Sequence, residues 1–175
     1  MSILKVARMG HPVLREKARP LDRAALRSPA IQTLIDDLIE TMIEYHGVGL
    51  AAPQVHESVR VFVARLGPDD DEDAEPMVLV NPEIVRVGAE TVDGWEGCLS
   101  IPDIRGRVPR AREIVLRGLD RQGGRIECPL QDFPARVAQH EADHLDGILF
   151  FDRMRSLASL TFLDEYSRYW TKDKD

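Results

Sequence analysis

Cysteine is scarce in this chain. Cys98 and Cys128 are its only two, too few for a disulfide framework, so a reducing cytoplasm is the expected compartment. Long apolar runs are missing as well. No stretch approaches the ~20 residues a membrane-spanning helix needs. Met1-Ser2-Ile3-Leu4-Lys5 lacks a signal peptide's apolar core, and no Arg/Ser-rich transit segment is seen. Positive charge is in deficit. The net charge of -7 argues against DNA and against broad nucleic-acid binding. Two motif classes are also absent. Gly47-Val48-Gly49-Leu50-Ala51-Ala52-Pro53-Gln54 has no following Gly-Lys-Ser/Thr, which removes a nucleotide loop. Asp69, Asp70, Asp71, Glu72, Asp73 and Glu75 lack the EF-hand spacing and read as a solvated hairpin loop.

What is present is ordinary for a globular protein: 43% hydrophobic and 30% charged residues over 175 positions, read as one domain spanning residues 1–175. Ser28 and Pro29 open a helix with Ile31, Leu34, Ile35, Leu38, Ile39, Met42 and Ile43 on one face, ended by Gly47. Strands are expected over 59–66, 77–81, 84–87, 113–119 and 125–129. Asp120-Arg121-Gln122-Gly123-Gly124 makes a hairpin between the last two. Residues 88–94 read as a connection and 156–170 as a last helix. Strands between two flanking helices suggest α+β.

The chemistry centres on Gln139-His140-Glu141-Ala142-Asp143-His144, an H-E-x-x-H sequence. On a helix, His140 and His144 project from one face a turn apart. Glu141 then reaches a water held between them, which makes two neutral ligands and a base. Asp132 as N-cap, Pro134 in the first turn and Gly147 at the end all favour a helix here. The alternative is two core histidines satisfied by backbone. A helix of this kind supplies two protein ligands where a catalytic site takes three. That draws attention to Cys98 in Trp95-Glu96-Gly97-Cys98-Leu99-Ser100, which by itself reads as a buried small residue. Arg105, Arg107, Arg110 and Arg112 lie nearby, and one of them can pair with Glu96. Cys128 reads as structural.

Three segments together resemble the signature motifs of peptide deformylases: Gly47 to Gln54, Glu96 to Ser100, and Gln139 to Leu145, in that order. The segment 133–137 and the short ending near Tyr169-Trp170 resemble the organellar-like branch of that family, without a transit segment. The resemblance implies an α+β fold, with mixed or antiparallel strands wrapped around a central helix carrying the H-E-x-x-H metal site. It implies removal of the formyl group from N-formylmethionyl nascent peptides. Cys98, His140 and His144 would bind the metal. Glu141, Gln54 and Leu99 would be catalytic, the last two as oxyanion donors through the Gln54 amide and the Leu99 N–H. Val48, Gly49, Gly97 and Val137 would bind substrate, with Phe133 and the Arg136 stem beside them. The implied cofactor is one divalent ion, Fe(II), with zinc, nickel or cobalt as substitutes, and a transient ribosome contact follows from a nascent-chain substrate.

Two other readings share these residues. A zinc endopeptidase would use the same H-E-x-x-H with a downstream carboxylate, for which Glu165 is placed suitably. A non-enzymatic ribosome-associated module would need neither, and no basic C-terminal helix supports it.

Overall fold

The computed structural model describes residues 2–67 and 75–171. The acidic residues Asp69 to Asp73 and the tail beyond Thr171 lie outside them. Among the described residues, eight strands and five α-helices follow in order: α1 (Arg23–Leu26), α2 (Pro29–Glu44), β1 (Gly49–Ala51), β2 (Val61–Ala64), β3 (Met77–Val87), β4 (Thr91–Cys98), β5 (Ile101–Ala111), β6 (Glu113–Leu119), β7 (Arg125–Gln131), α3 (Asp132–Leu145), α4 (Phe150–Arg153), β8 (Thr161–Phe162) and α5 (Leu163–Tyr169). One antiparallel sheet runs β1-β2-β3-β6-β7 and a second runs β4-β5-β8. The α+β expectation therefore matches. No helix among the described residues is long and apolar enough to cross a membrane.

α2 forms where its caps and period place it. The Ser28 hydroxyl accepts from the Ile31 N–H, and Pro29 occupies the first turn. Ile35, Leu38 and Met42 are fully buried, whereas Ile43 at the end of the predicted face is exposed. Burying each such side chain contributes about 1.5–3 kcal/mol. The helix ends at Glu44 rather than at Gly47. His46 takes the left-handed conformation, and the Gly47 N–H donates back to the Met42 carbonyl at 2.8 Å. This is the Schellman closure, with histidine in the seat usually held by glycine.

The strands also depart from expectation in instructive ways. The two short strands expected around Pro82 are one eleven-residue strand, β3, with register shifts on either side of Ile84. Proline has no N–H for a ladder, and it is accommodated where the pairing is already irregular. Residues 91–94, read as connection, belong to β4. The unpredicted β5 pairs with it along its length. The segment 156–170 holds a short 3-10 turn, β8 and then α5, not one helix.

α3 packs against both sheets. Ala135, Ala138 and Leu145 enter the core with Phe62, Leu79 and Leu116. Gln131 is the N-cap, and Asp132, the predicted cap, instead has positive φ and pairs with Arg112 at 2.9 Å. Gly147 closes the other end with φ +72°. A side chain there would collide with the Arg15 backbone.

The irregular N-terminal arm has a structural task. The Ala7 N–H donates to the Gln54 carbonyl at 2.7 Å, and the Met9 N–H to the Ser100 carbonyl at 2.8 Å. It thus ties together the two loops that flank Cys98.

Candidate active site

Ligand-type atoms of Cys98, His140 and His144 lie within 4.8 Å of one another. Cys98 comes from the end of β4 and the two histidines from successive turns of α3. Cys98 Sγ is 3.3 Å from His144 Nε2. This corrects the expectation that the H-E-x-x-H helix carries the metal site. The cluster is Cys98/His140/His144, and it exists only because a strand of the smaller sheet delivers a thiol to the helix. Glu141 is not a member of it.

The charges around the cluster suit a cation. Burial would raise the Cys98 thiol, but His144 and His140 outweigh it and hold the group well below the ordinary thiol range. A thiolate and two imidazoles are the donor set that first-row divalent metals accept. Glu141 is buried beside the cluster, and burial pushes its carboxyl up to about 7 against the opposing pull of His140 and His144. Its Oε2 has no hydrogen-bond partner. A buried, unsatisfied carboxylate oxygen next to three donor atoms fits a site that holds a cation and a water.

Behind the ligands stands a network of charges. His140 Nδ1 is 2.9 Å from Glu96 Oε2, leaving Nε2 for the cluster. Arg110 grips Glu96 with two bonds, at 2.9 and 3.0 Å, and reaches Asp143 at 2.5 Å. Arg136 donates to Glu96 at 2.9 Å and to the Val92 and Val108 carbonyls. Burial would raise the Glu96 carboxyl, yet the bonds from His140 and Arg110 take it down to about 2. Of the arginine cluster flagged in the sequence, Arg110 is the one that pairs with Glu96. Asp143, adjacent to His144, carries no recognisable motif and was not anticipated. Arg136 lines the cleft with its guanidinium committed to the network, which leaves its stem to pack there as the sequence suggests. Replacing Glu96 by glutamine is expected to weaken metal binding about 10–100-fold. It should also cost about 3–5 kcal/mol of stability, because Arg110 loses a buried partner. Metal titration and denaturant melts check the two effects separately.

The remaining predicted residues gather around the same point. Gln54 Oε1 accepts from the Ala51 N–H at 2.8 Å, which fixes the amide so that Nε2 faces Cys98 Sγ (3.5 Å) and Ser100 Oγ (3.2 Å). Gly49 lies so close to Glu141 that a Cβ would collide with the carboxylate. Val48, Gly49, Gly97, Leu99, Phe133 and Val137 line one cleft of about 750 Å³, together with Glu141, Cys98 and His140. Trp95, Arg105 and Leu163 also line it and were not foreseen as cleft residues. Leu50, between Gly49 and Ala51, packs into the core. Glu165 lies on α5 and pairs with Arg168 at 3.1 Å. It is not in the metal cluster, which removes the residue on which the endopeptidase reading depends.

A family model described as "Polypeptide deformylase" matches residues 3–159. The chain belongs to the polypeptide deformylase family. Among its relatives, peptide deformylase 2 of Nostoc sp. is 43% identical, over 98% of this chain and 97% of that protein. The Met-Ala-Ser-bound class I type b peptide deformylase from Acinetobacter baumannii superposes with a TM-score of 0.81 at 43% identity, covering 87% of this chain and 99% of that one. The plant peptide deformylase PDF1B gives a TM-score of 0.81 at 34% identity, covering 96% and 87%. The fold of the deformylases therefore extends through both sheets and α3.

Proposed function

We propose that the chain is a metal-dependent hydrolase that removes the formyl group from N-formylmethionyl peptides and releases formate. The observation that carries this reading is the Cys98/His140/His144 cluster at one cleft with Glu141 and the Gln54 amide. The family membership supports it. The chemistry that a divalent ion supplies in such a set is a water with its pKa lowered toward about 7 and a polarised carbonyl.

The chain's own residues do the rest. Glu141 takes the proton from the attacking water and later delivers it to the leaving amine. Gln54 Nε2 and the Leu99 N–H donate to the oxygen that becomes negative as the formyl carbon turns tetrahedral, a role worth up to about 3 kcal/mol per donor. Val48 and Val137 receive the methionine side chain. Gly49 and Gly97 let the peptide lie alongside backbone as an added strand does.

Selectivity for formyl follows from the same walls. A Cβ on Gly49 would collide with the Glu141 carboxylate, and one on Gly47 would crowd Leu99 Cδ1. Little room is left for a methyl on the acyl carbon. Formyl-Met-Ala-Ser is expected to exceed acetyl-Met-Ala-Ser by about 100-fold in kcat/KM, toward the upper end of what a single methyl decides. Formate and acetate assays on one preparation test it, and comparable values would reject the reading.

Fe(II) is the ion we propose, although the donor set also suits zinc, nickel and cobalt. Ferrous iron and its thiolate ligand oxidise in air. Activity is expected to fall on aerobic storage and to persist after nickel exchange. A fully active, air-stable zinc protein would overturn the iron assignment. The reading also includes a cytoplasmic location, which the scarcity of cysteine supports, and transient ribosome contact for a nascent-chain substrate. A place in the organellar-like branch is supported by Phe133-Pro134-Ala135-Arg136-Val137.

A further inference from the structure

The chain has five histidines. Two belong to the Cys98 cluster, His46 closes α2, and the other two meet outside the cleft. His11 is the N-cap of the 3-10 turn Pro12–Arg15, and His56 is the C-cap of the 3-10 turn Ala52–Val55. The two turns pack against each other, and both histidines are exposed. Their rings stand edge to face, with centroids 4.6 Å apart and planes at 81°. Neither is among the residues that line the catalytic cleft.

Within the cluster, the His140 and His144 rings have centroids 5.0 Å apart and planes at 75°. That spacing suits a shared ion. At a metal–nitrogen distance of about 2.0–2.1 Å, two imidazoles on one tetrahedral ion have centroids about 5 Å apart. His11 and His56 nearly repeat the arrangement, and backbone fixes both. His11 Nδ1 accepts from the Val13 N–H at 3.2 Å. His56 has φ +70°, in the left-handed region that glycine occupies without cost, and its N–H donates to the Pro53 carbonyl at 3.2 Å. The nearest charges in sequence, Arg8 and Glu57, offset each other. Imidazole nitrogens are donors that nickel, copper and zinc accept.

We infer that His11 and His56 form a second cation site, for a late first-row divalent ion, that clamps the N-terminal arm to the turn carrying Gln54. Ligation through His11 Nε2 moves the ring proton to Nδ1 and gives up the long bond from Val13. Only two protein donors are supplied, so water completes the shell and this ion is held more weakly than the catalytic one. The clamp follows from the connections already present. Ala7, four residues before His11, donates its N–H to the carbonyl of Gln54, two residues before His56, at 2.7 Å. An ion that joins His11 to His56 closes a ring around that bond.

The test is equilibrium dialysis of the nickel-loaded protein against rising free nickel, up to millimolar, followed by elemental analysis. The unaltered chain is expected to take up a second ion after the first. His11→Asn keeps an acceptor for the Val13 N–H, and His56→Gly relieves the left-handed backbone, so both variants should fold. Each should raise the dissociation constant of the second ion by more than about tenfold, the loss that even an outer partner of a metal ligand causes. Each should also retain the first ion. In hydrogen exchange, the Ala7 N–H should slow as the second ion binds to the unaltered chain and should not respond in either variant. No second ion in the unaltered chain, a second ion held equally by both variants, or loss of the first ion together with the second would overturn the site. Unchanged Ala7 exchange with the second ion bound would overturn the clamp. None of these measurements uses formate release, so their outcome stands apart from the deformylase reading.

Discussion

Glutamine in place of Glu141 is expected to leave the metal bound and to lower formate release by about 1,000-fold, within the range of a lost general base. Glu141 lies outside the Cys98/His140/His144 cluster, so removing its charge does not remove a ligand. Its buried Oε2 has no hydrogen-bond partner, which leaves it free for the proton transfer proposed for it. Glutamine keeps the shape against Gly49 but cannot accept that proton at neutral pH. Elemental analysis and kcat on the same preparation separate the two effects. Near-normal turnover in a metal-replete variant would remove Glu141 from the chemistry.

The second large effect separates the deformylase from the endopeptidase. Mutating His140, Glu141 or His144 decides nothing between them, since both use all three. Cys98→Ser replaces a thiolate 3.3 Å from His144 Nε2 by a neutral hydroxyl. It is expected to strip most bound metal and to reduce activity by about 100-fold or more, as loss of a ligand charge at a catalytic ion does. Glu165→Gln alters a helix-surface pair with Arg168. It is expected to stay within about ±0.5 kcal/mol in stability and to leave metal content unchanged. The endopeptidase predicts the reverse. Metal loss from the Glu165 variant with retention in the Cys98 variant would reject the cluster.

What is legible in the sequence is what depends on local spacing. The α2 face, the β6-β7 hairpin and the one-turn separation of His140 from His144 are periodic features of neighbouring residues. The harder parts depend on tertiary meeting. β5 was missed because Ile101 to Ala111 contains two prolines, a glycine and three arginines, which hides any alternation. One of those arginines, Arg110, is buried only because Glu96 and Asp143 converge on it from β4 and α3. His46 took the left-handed position from Gly47 because the last turn of α2 closes one residue earlier than the glycine suggests. Placing the metal site on the helix motif understated Cys98, whose approach requires the two sheets to be packed already. Trp95 and Leu163 lie 68 residues apart in sequence, and no spacing rule joins them.

The central claim is that formate release depends on an ion held by Cys98, His140 and His144. The most direct measurement removes that ion with a chelator under anaerobic conditions and follows formate from formyl-Met-Ala-Ser as Fe(II) or nickel is returned. The account predicts negligible formate in the stripped protein and recovery that saturates at one ion per chain. Full activity in the stripped protein, or recovery that Cys98→Ser matches at the same stoichiometry, would contradict it.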